Sequence, residues 1–291
     1  MPLPTLPQGH NRVKDFIPVA RIAELLLHPG QAYTYKGETR HYADIRLVYW
    51  AGGNPFHHHQ DLRRLREAFS RPDTVIVHDS VRTATAAHAD IVFPITLSME
   101  RDDIGAAAND PFLVPMRQLA TPYGQARDDY AVFSALAERL GCAADFTEGL
   151  DSHGWQQRIY QRTRNALAEQ GWPAPDFAAF MAGEVLELPL STQPGRMARF
   201  HADPERQPLD TPSGRIELWS EVVARSELPG HPAWVAPQEW LGAEAAQQHR
   251  FQLVANQPKT RLHSQLDFGA HSMAGKQVRP RSGAPQSGGC H

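Results

Sequence analysis

Where an apolar run ends in Gly52-Gly53-Asn54-Pro55, the chain has residue types that can bring backbone N–H groups against a phosphate. Glycine permits the close approach, and a helix starting at Pro55 would aim the positive end of its dipole at the same point. A tight turn without a ligand uses the same residues. Asp79 ends the next apolar run about 25 residues on, where an acid in a parallel α/β sheet either accepts from ribose hydroxyls or caps a helix. Together Gly53, Asn54 and Asp79 point to a nucleotide-bearing cofactor. The turn is not Gly-x-Gly-x-x-Gly, which disfavours an ordinary NAD site. His57-His58-His59 offers metal-binding side chains, but neighbours on a helix diverge, and on a strand only His57 and His59 share a face. The expectation is one histidine stacking on or bonding to a ligand, and no metal ion. Arg101-Asp102-Asp103 and Arg127-Asp128-Asp129 suit a solvated surface. No serine-hydrolase elbow, zinc-protease motif or phosphate-binding P-loop occurs, so a hydrolase or ATPase of those kinds has no support.

These residues need elements to hold them. Residues 18–27 read as a helix that Pro18 opens and Pro29-Gly30 stops. Ile45 to Trp50 reads as a buried strand, Gln60 to Phe69 as a helix with Leu62, Leu65, Ala68 and Phe69 on one face, and Thr74 to His78 as a second strand. A short helix over Thr83 to His88 and a third strand over Ile91 to Phe93 follow. Strand, helix, strand, helix, strand predicts a parallel sheet with right-handed crossovers, whose ligands bind at the carboxyl ends of the strands. Asp129 to Leu140 is amphipathic, and residues 152–183 read as two helices broken at Gly171-Trp172-Pro173. Beyond Leu186 helical periodicity fades. Arg215 to Ser220 alternates like a strand after the turn Thr211 to Gly214, and Arg250 to Ala255 is another strand candidate.

The 291 residues suffice for one large or two ordinary domains, and 41% hydrophobic with 21% charged residues is ordinary for a globular protein. A net charge of −3 supplies no basic stripe for nucleic acid. The two cysteines, Cys142 and Cys290, form no Cys-x-x-Cys, which speaks against an iron–sulfur cluster or cysteine-rich zinc site. Low cysteine content favours the cytoplasm; the periplasm stays open because the true N-terminus is expected to lie upstream. No run is long enough to span a membrane as a helix.

The stretch Tyr49-Trp50-Ala51-Gly52-Gly53-Asn54-Pro55-Phe56-His57-His58-His59-Gln60-Asp61-Leu62 resembles the molybdenum enzymes that carry two molybdopterin guanine dinucleotides, the dimethyl sulfoxide, trimethylamine N-oxide and biotin sulfoxide reductases. The likeness continues in order through His88-Ala89-Asp90-Ile91-Val92-Phe93-Pro94, Met99 to Gly105, Ala126 to Tyr130, Thr211 to Glu217 and Asn256 to Gln265. Asp102 to Ala107 with Arg127 to Tyr130 looks most like the biotin sulfoxide reductase branch.

The resemblance implies an α/β chain: a Rossmann-like, doubly wound parallel sheet followed by the start of an incomplete β-barrel domain. Residues 1–190 would form the guanine-dinucleotide domain, 191–235 a linker, 236–276 the opening of the barrel and 277–291 an off-pattern, disordered tail. The cofactor would be bis(molybdopterin guanine dinucleotide) molybdenum. Gly53, Asn54, Pro55 and His58 would line the guanosine pocket, Asp79 would take ribose or base, and Arg101 and Asp129 would flank the guanosine. Arg261, His263 and Gln265 would reach the pterin. The reaction would be oxygen-atom transfer from an S-oxide or N-oxide. The serine that ligates molybdenum in the family lies upstream of anything here, so the chain is expected to contribute no catalytic residue, to be a fragment, and to need a partner supplying the N-terminal half. A non-enzymatic module that stores or delivers the cofactor is the alternative. After Lys276 the sequence is rich in Gly, Pro, Ser and Arg with Val278 its one β-branched residue, as out-of-frame coding DNA tends to yield.

Overall fold

Helix formation begins where expected. A 3-10 turn over Val19–Arg21 leads into α1 (Ile22–Leu27), whose Leu26 is buried. The hairpin that follows was not foreseen: β1 (Ala32–Tyr35) pairs antiparallel with β2 (Glu38–His41). Its two-residue loop, Lys36-Gly37, has positive φ at both positions, the geometry that matches strand twist in tight hairpins. In the computed structural model, residues 3–108, 110–189, 195–225, 228–237, 239–252, 259, 262 and 269–278 are described.

The parallel sheet consists of β3 (Leu47–Ala51), β4 (Thr74–Asp79) and β5 (Ile91–Pro94) in that spatial order. The register pairs Trp50 with Val77, Ala51 with His78 and Asp79 with Pro94. Between β3 and β4 run α2 (Pro55–His58) and α3 (Leu62–Phe69); a 3-10 turn, Ala86–His88, stands between β4 and β5. On one face of the sheet Val75 and Val77 pack with Leu26, Phe56, Leu65, Ala68, Phe69 and Ala86. Leu62, placed on the apolar face of α3 by its spacing, is exposed. It is the first residue of the helix, before the face that meets the sheet. Winding in both directions from a switch point was expected. Among the described residues the three strands run in sequence order, without reversal.

The reason is that the chain next builds an antiparallel sheet from β6 (Asp103–Ala106), β7 (Phe112–Met116) and β8 (Leu186–Glu187). Between β7 and β8 lie α4 (Asp129–Arg139), α5 (Ala143–Thr147), α6 (Ser152–Glu169) and α7 (Phe177–Ala182). Leu113, Tyr160, Leu167, Phe177, Phe180 and Leu188 form a second core. Aspartates start the helices: Asp61, Asp128, Asp151 and Asp176 each accept from a backbone N–H of the first turn, at 3.1, 2.6, 2.8 and 2.8 Å.

Downstream come α8 (Arg196–Ala202), α9 (Glu221–Ala224) and α10 (Ala270–Val278). The turn at Thr211 to Gly214 is formed, with Gly214 at φ 68° and its N–H donating to Thr211. Arg215 to Ser220 is not a strand. Ile216 and Leu218, which alternation would bury together, are both exposed, and Ser220 instead caps α9. In 236–276 the described residues hold a 3-10 turn at Glu244–Gln247, a single bridge at Leu262 and most of α10. Of the strand expected at 250–255, residues 250–252 are described and are not strand, and the other half lies outside the described residues, as does the tail from 279 onward. No helix among the described residues is long and apolar enough to cross a membrane.

Burial pushes the Tyr160 phenol up to about 12 from an ordinary 10.0, with Asp176 adding to it and Arg164 opposing. The folded state therefore binds the phenolic proton more tightly than the unfolded state. The stability this confers is full below pH 10 and is lost as pH rises toward 12. Melting temperatures measured across that interval should fall, and less steeply in Tyr160→Phe; equal slopes would contradict the assignment.

Candidate functional site at the carboxyl edge of the parallel sheet

Two loops leave the sheet on the same edge, and a third segment packs beside them. The first follows β3. Gly52 and Gly53 sit at φ 87° and 77°, a region that favours glycine, and Asn54 then precedes α2 with Pro55 at its first position. Asn54, Pro55 and Phe56 are buried. The second follows β4: Asp79 accepts from Ser80 N–H at 2.9 Å and from the Thr83 hydroxyl at 2.5 Å. Two residues on, the buried Thr85 hydroxyl donates to Asn54 Oδ1 and accepts from Phe56 N–H at 3.3 Å. Asn54 and Asp79 are thus joined through one short loop. The third is the run into α4, which binds beside β5: Arg127 N–H donates to Pro94, and Thr96 N–H to Arg127.

The remaining expected residues scatter. His58 is exposed, its ring 4.9 Å from that of His59. Burial, then the charge of His58, holds the His59 imidazole below its ordinary pKa. Among the described residues no group of three or more His, Cys, Asp or Glu could hold a metal ion. Arg101 pairs with Asp103, so its guanidinium is directed along its own segment. Its neighbours are similarly occupied: Glu100 accepts from Leu97 and Tyr123 N–H groups at 2.8 and 3.0 Å, and Asp102 accepts from Gln118 N–H at 2.7 Å. The two charged clusters lie at the surface as expected, with Asp102, Arg127 and Asp129 exposed, and Asp102 and Asp128 also accept from backbone N–H groups. Arg261, His263 and Gln265 lie outside the described residues.

Sequence reasoning missed two residues. His78, wholly buried in β4, reaches Asp129 through Nδ1 at 2.6 Å and the Tyr49 hydroxyl through Nε2 at 2.8 Å. The Tyr49 phenol is raised above its ordinary pKa by burial first and by the charge of Asp129 second. The available signal was a polar residue in a strand buried on both faces, which must find partners. Tyr49 also lines a cleft of about 880 Å³ between the sheet and α4, with Phe93, Arg127, Val132 and Arg139 among its walls.

The model of the molybdopterin oxidoreductase family matches residues 5–139. A biotin sulfoxide reductase of Cereibacter sphaeroides is 47% identical over 279 residues, covering 94% of this chain and 37% of that protein. A dimethyl sulfoxide/trimethylamine N-oxide reductase of the same organism is 42% identical over 258 residues, covering 86% and 31%. A trimethylamine-N-oxide reductase of Haemophilus influenzae is 41% identical over 265 residues, covering 87% and 32%. The chain spans about a third of the length of these curated relatives. Among solved structures, acetylene hydratase from Pelobacter acetylenicus overlays with a TM-score of 0.51 at 21% identity, covering 71% of this chain and 26% of that one, a likeness of fold. Residues 5–139 are thus those of the molybdopterin oxidoreductase family, and the relatives matched over most of the chain are S- and N-oxide reductases.

Thr85→Val removes the hydroxyl but keeps the shape, leaving Asn54 Oδ1 and Phe56 N–H without that partner. The expected cost is about 1–3 kcal/mol for each buried group left unsatisfied, read as a lowered urea midpoint, with Thr85→Ser close to wild type. A valine variant as stable as wild type would show that the clasp contributes nothing.

Proposed function

We propose that this chain supplies the part of an S-/N-oxide reductase that holds the guanosine end of one molybdopterin guanine dinucleotide, within a cofactor of the bis type. A biotin sulfoxide-like compound is the favoured substrate of the intact enzyme. In this reading residues 1–190 form the dinucleotide domain, 191–235 a connector and 236–276 the opening of a barrel domain.

The observation that carries the reading is the linkage of the Gly52-Gly53-Asn54 turn to Asp79 through Thr83 and Thr85, on the edge of the sheet where ligands of parallel α/β sheets bind. The donor set fits a nucleotide. An ideal Cβ at Gly52 would meet nothing within 4 Å, and one at Gly53 would lie 3.7 Å from the Trp50 indole nitrogen. That nitrogen is buried without a hydrogen-bond partner, as is Nε2 of His59. An indole nitrogen left in this way beside a glycine turn suits a site whose remaining partner comes with a ligand. Asp79 spends one contact on each oxygen holding its loop and keeps lone pairs for ribose hydroxyls or a base.

The bound group would supply the electrons for removal of the oxide's oxygen, and the protein supplies binding and orientation. Asn54 and Pro55 fix the turn, Asp79 holds the second loop, and His58 and Asp129 would border the guanosine. Arg101 would have to leave Asp103 to join them. A module that only binds the guanosine end is the second reading.

Asp79→Ala should weaken binding of a guanine nucleotide, measured by calorimetry, by about 1.5–3 kcal/mol for one charge-assisted hydrogen bond. Asp79→Asn, which can still accept from Thr83, separates ligand contact from loop support. Equal affinity in all three proteins would remove Asp79 from the site. The purified 291-residue chain is expected to show no turnover of biotin sulfoxide with cofactor and an artificial donor. Turnover would mean that it carries the catalytic centre itself.

A further inference from the structure

Asp129 is half-exposed in the first turn of α4, yet one of its oxygens contacts a side chain with no exposure at all. A carboxylate only accepts hydrogen bonds, so Nδ1 of His78 carries a hydrogen and donates to Oδ1 at 2.6 Å. In the neutral ring Nε2 then accepts from the Tyr49 hydroxyl at 2.8 Å; in the protonated ring it donates to the phenol oxygen. The path is continuous in both forms. Aromatic rings fix the imidazole from the sides, with Phe133 stacked at 5.1 Å and Phe93 edge-on at 5.4 Å. The helix does not need this contact, because Asp128 already caps it through Ala131 N–H. Oδ2 of Asp129 makes no hydrogen bond among the described residues.

We propose that His78, backed by Tyr49, is the positioning residue for Asp129. It pins Oδ1 from inside the sheet and presents Oδ2 to the N–H or O–H donors of a ligand at the carboxyl edge. That the ligand is the guanosine end of a dinucleotide rests on the function proposed above; the Tyr49–His78–Asp129 relay does not.

Three variants divide the roles. His78→Phe keeps a ring against Phe133 and removes both hydrogen bonds. His78→Asn returns a donor near the place of Nδ1. Tyr49→Phe removes only the backing contact and is the substitution least able to disturb folding. The first measurement, on the ligand-free chain, is the Asp129 carboxyl carbon resonance at fixed pH. It should shift in His78→Phe, return toward the wild-type position in His78→Asn and move slightly in Tyr49→Phe. A wild-type resonance in His78→Phe, or in Tyr49→Phe should the phenylalanine variant not fold, overturns the proposal. The second measurement is affinity for guanosine monophosphate. A loss of about tenfold or more in His78→Phe, expected for a hydrogen bond to a charged group, with recovery in His78→Asn, supports positioning. Unchanged affinity in His78→Phe overturns it. Absence of binding to the wild-type chain counts against the guanosine reading alone, and the carboxyl resonance then decides the relay.

Discussion

The hydroxyl of Thr85 holds together the part of the sheet edge on which the Asn54 and Asp79 contacts depend. It donates to Asn54 and accepts from the N–H of Phe56, and so closes the loop after β4 onto the turn after β3. Both Thr85 and Asn54 are buried, where a hydrogen bond is strong and a missing one is expensive. The glycines before Asn54 can then keep positive φ without drifting, and Phe56 can enter the core with Phe69 and Leu65. Backbone conformation, core packing and the direction of the site thus share one polar contact.

A second polar system lies on the other face of the sheet. The core under α1 and α3 is apolar, whereas the α4 face carries His78 with Tyr49 and Asp129. A buried histidine with both ring nitrogens occupied adds specificity more than net stability, because its hydrogen bonds replace those it made to water. It fixes the register of α4 against β4: a helix rotated by one residue would bring Asp128 or Tyr130 to the imidazole in place of Asp129. Asp128 is engaged as the cap of α4, and Tyr130 donates to Leu150 at 2.6 Å.

Apolar runs bounded by glycine and proline were enough to read β3, α3, β4 and β5 within a residue or two, and Asp79 and the Gly52-Gly53 turn stood out because strand ends of a parallel sheet are where ligands bind. Contacts made at long range were not legible. His78 looked like the closing residue of an apolar run, since its partners lie 29 and 51 residues away. Arg101 was assigned to the guanosine by resemblance alone, and its pairing with Asp103 of the same charged cluster was not foreseen. Arg215 to Ser220 alternates as a strand should, but alternation states a preference for two faces and cannot supply a neighbouring strand. The hairpin at Lys36-Gly37 was legible in principle. Two residues able to adopt positive φ between Thr- and Tyr-containing segments are a hairpin signal when the first is Asn or Asp, and lysine there hid it.

The division of labour along the sheet edge follows from these contacts. Asp79 and Asn54 are tied to each other through a loop of the same domain half, so they move as one unit with β3 and β4. Asp129 comes from a helix that follows the first strands of the antiparallel sheet; its side chain meets β4 at His78, and the run before it is bonded to the end of β5 through Arg127. An edge assembled from two separately built parts keeps its geometry only as well as the contact between them. A ligand spanning both would be held at a distance set by the imidazole, which stacks on Phe133 and meets Phe93 edge-on. Rigid placement of this kind is what a protein contributes when the chemistry belongs to a bound group: the cofactor reacts, and the chain decides where it sits.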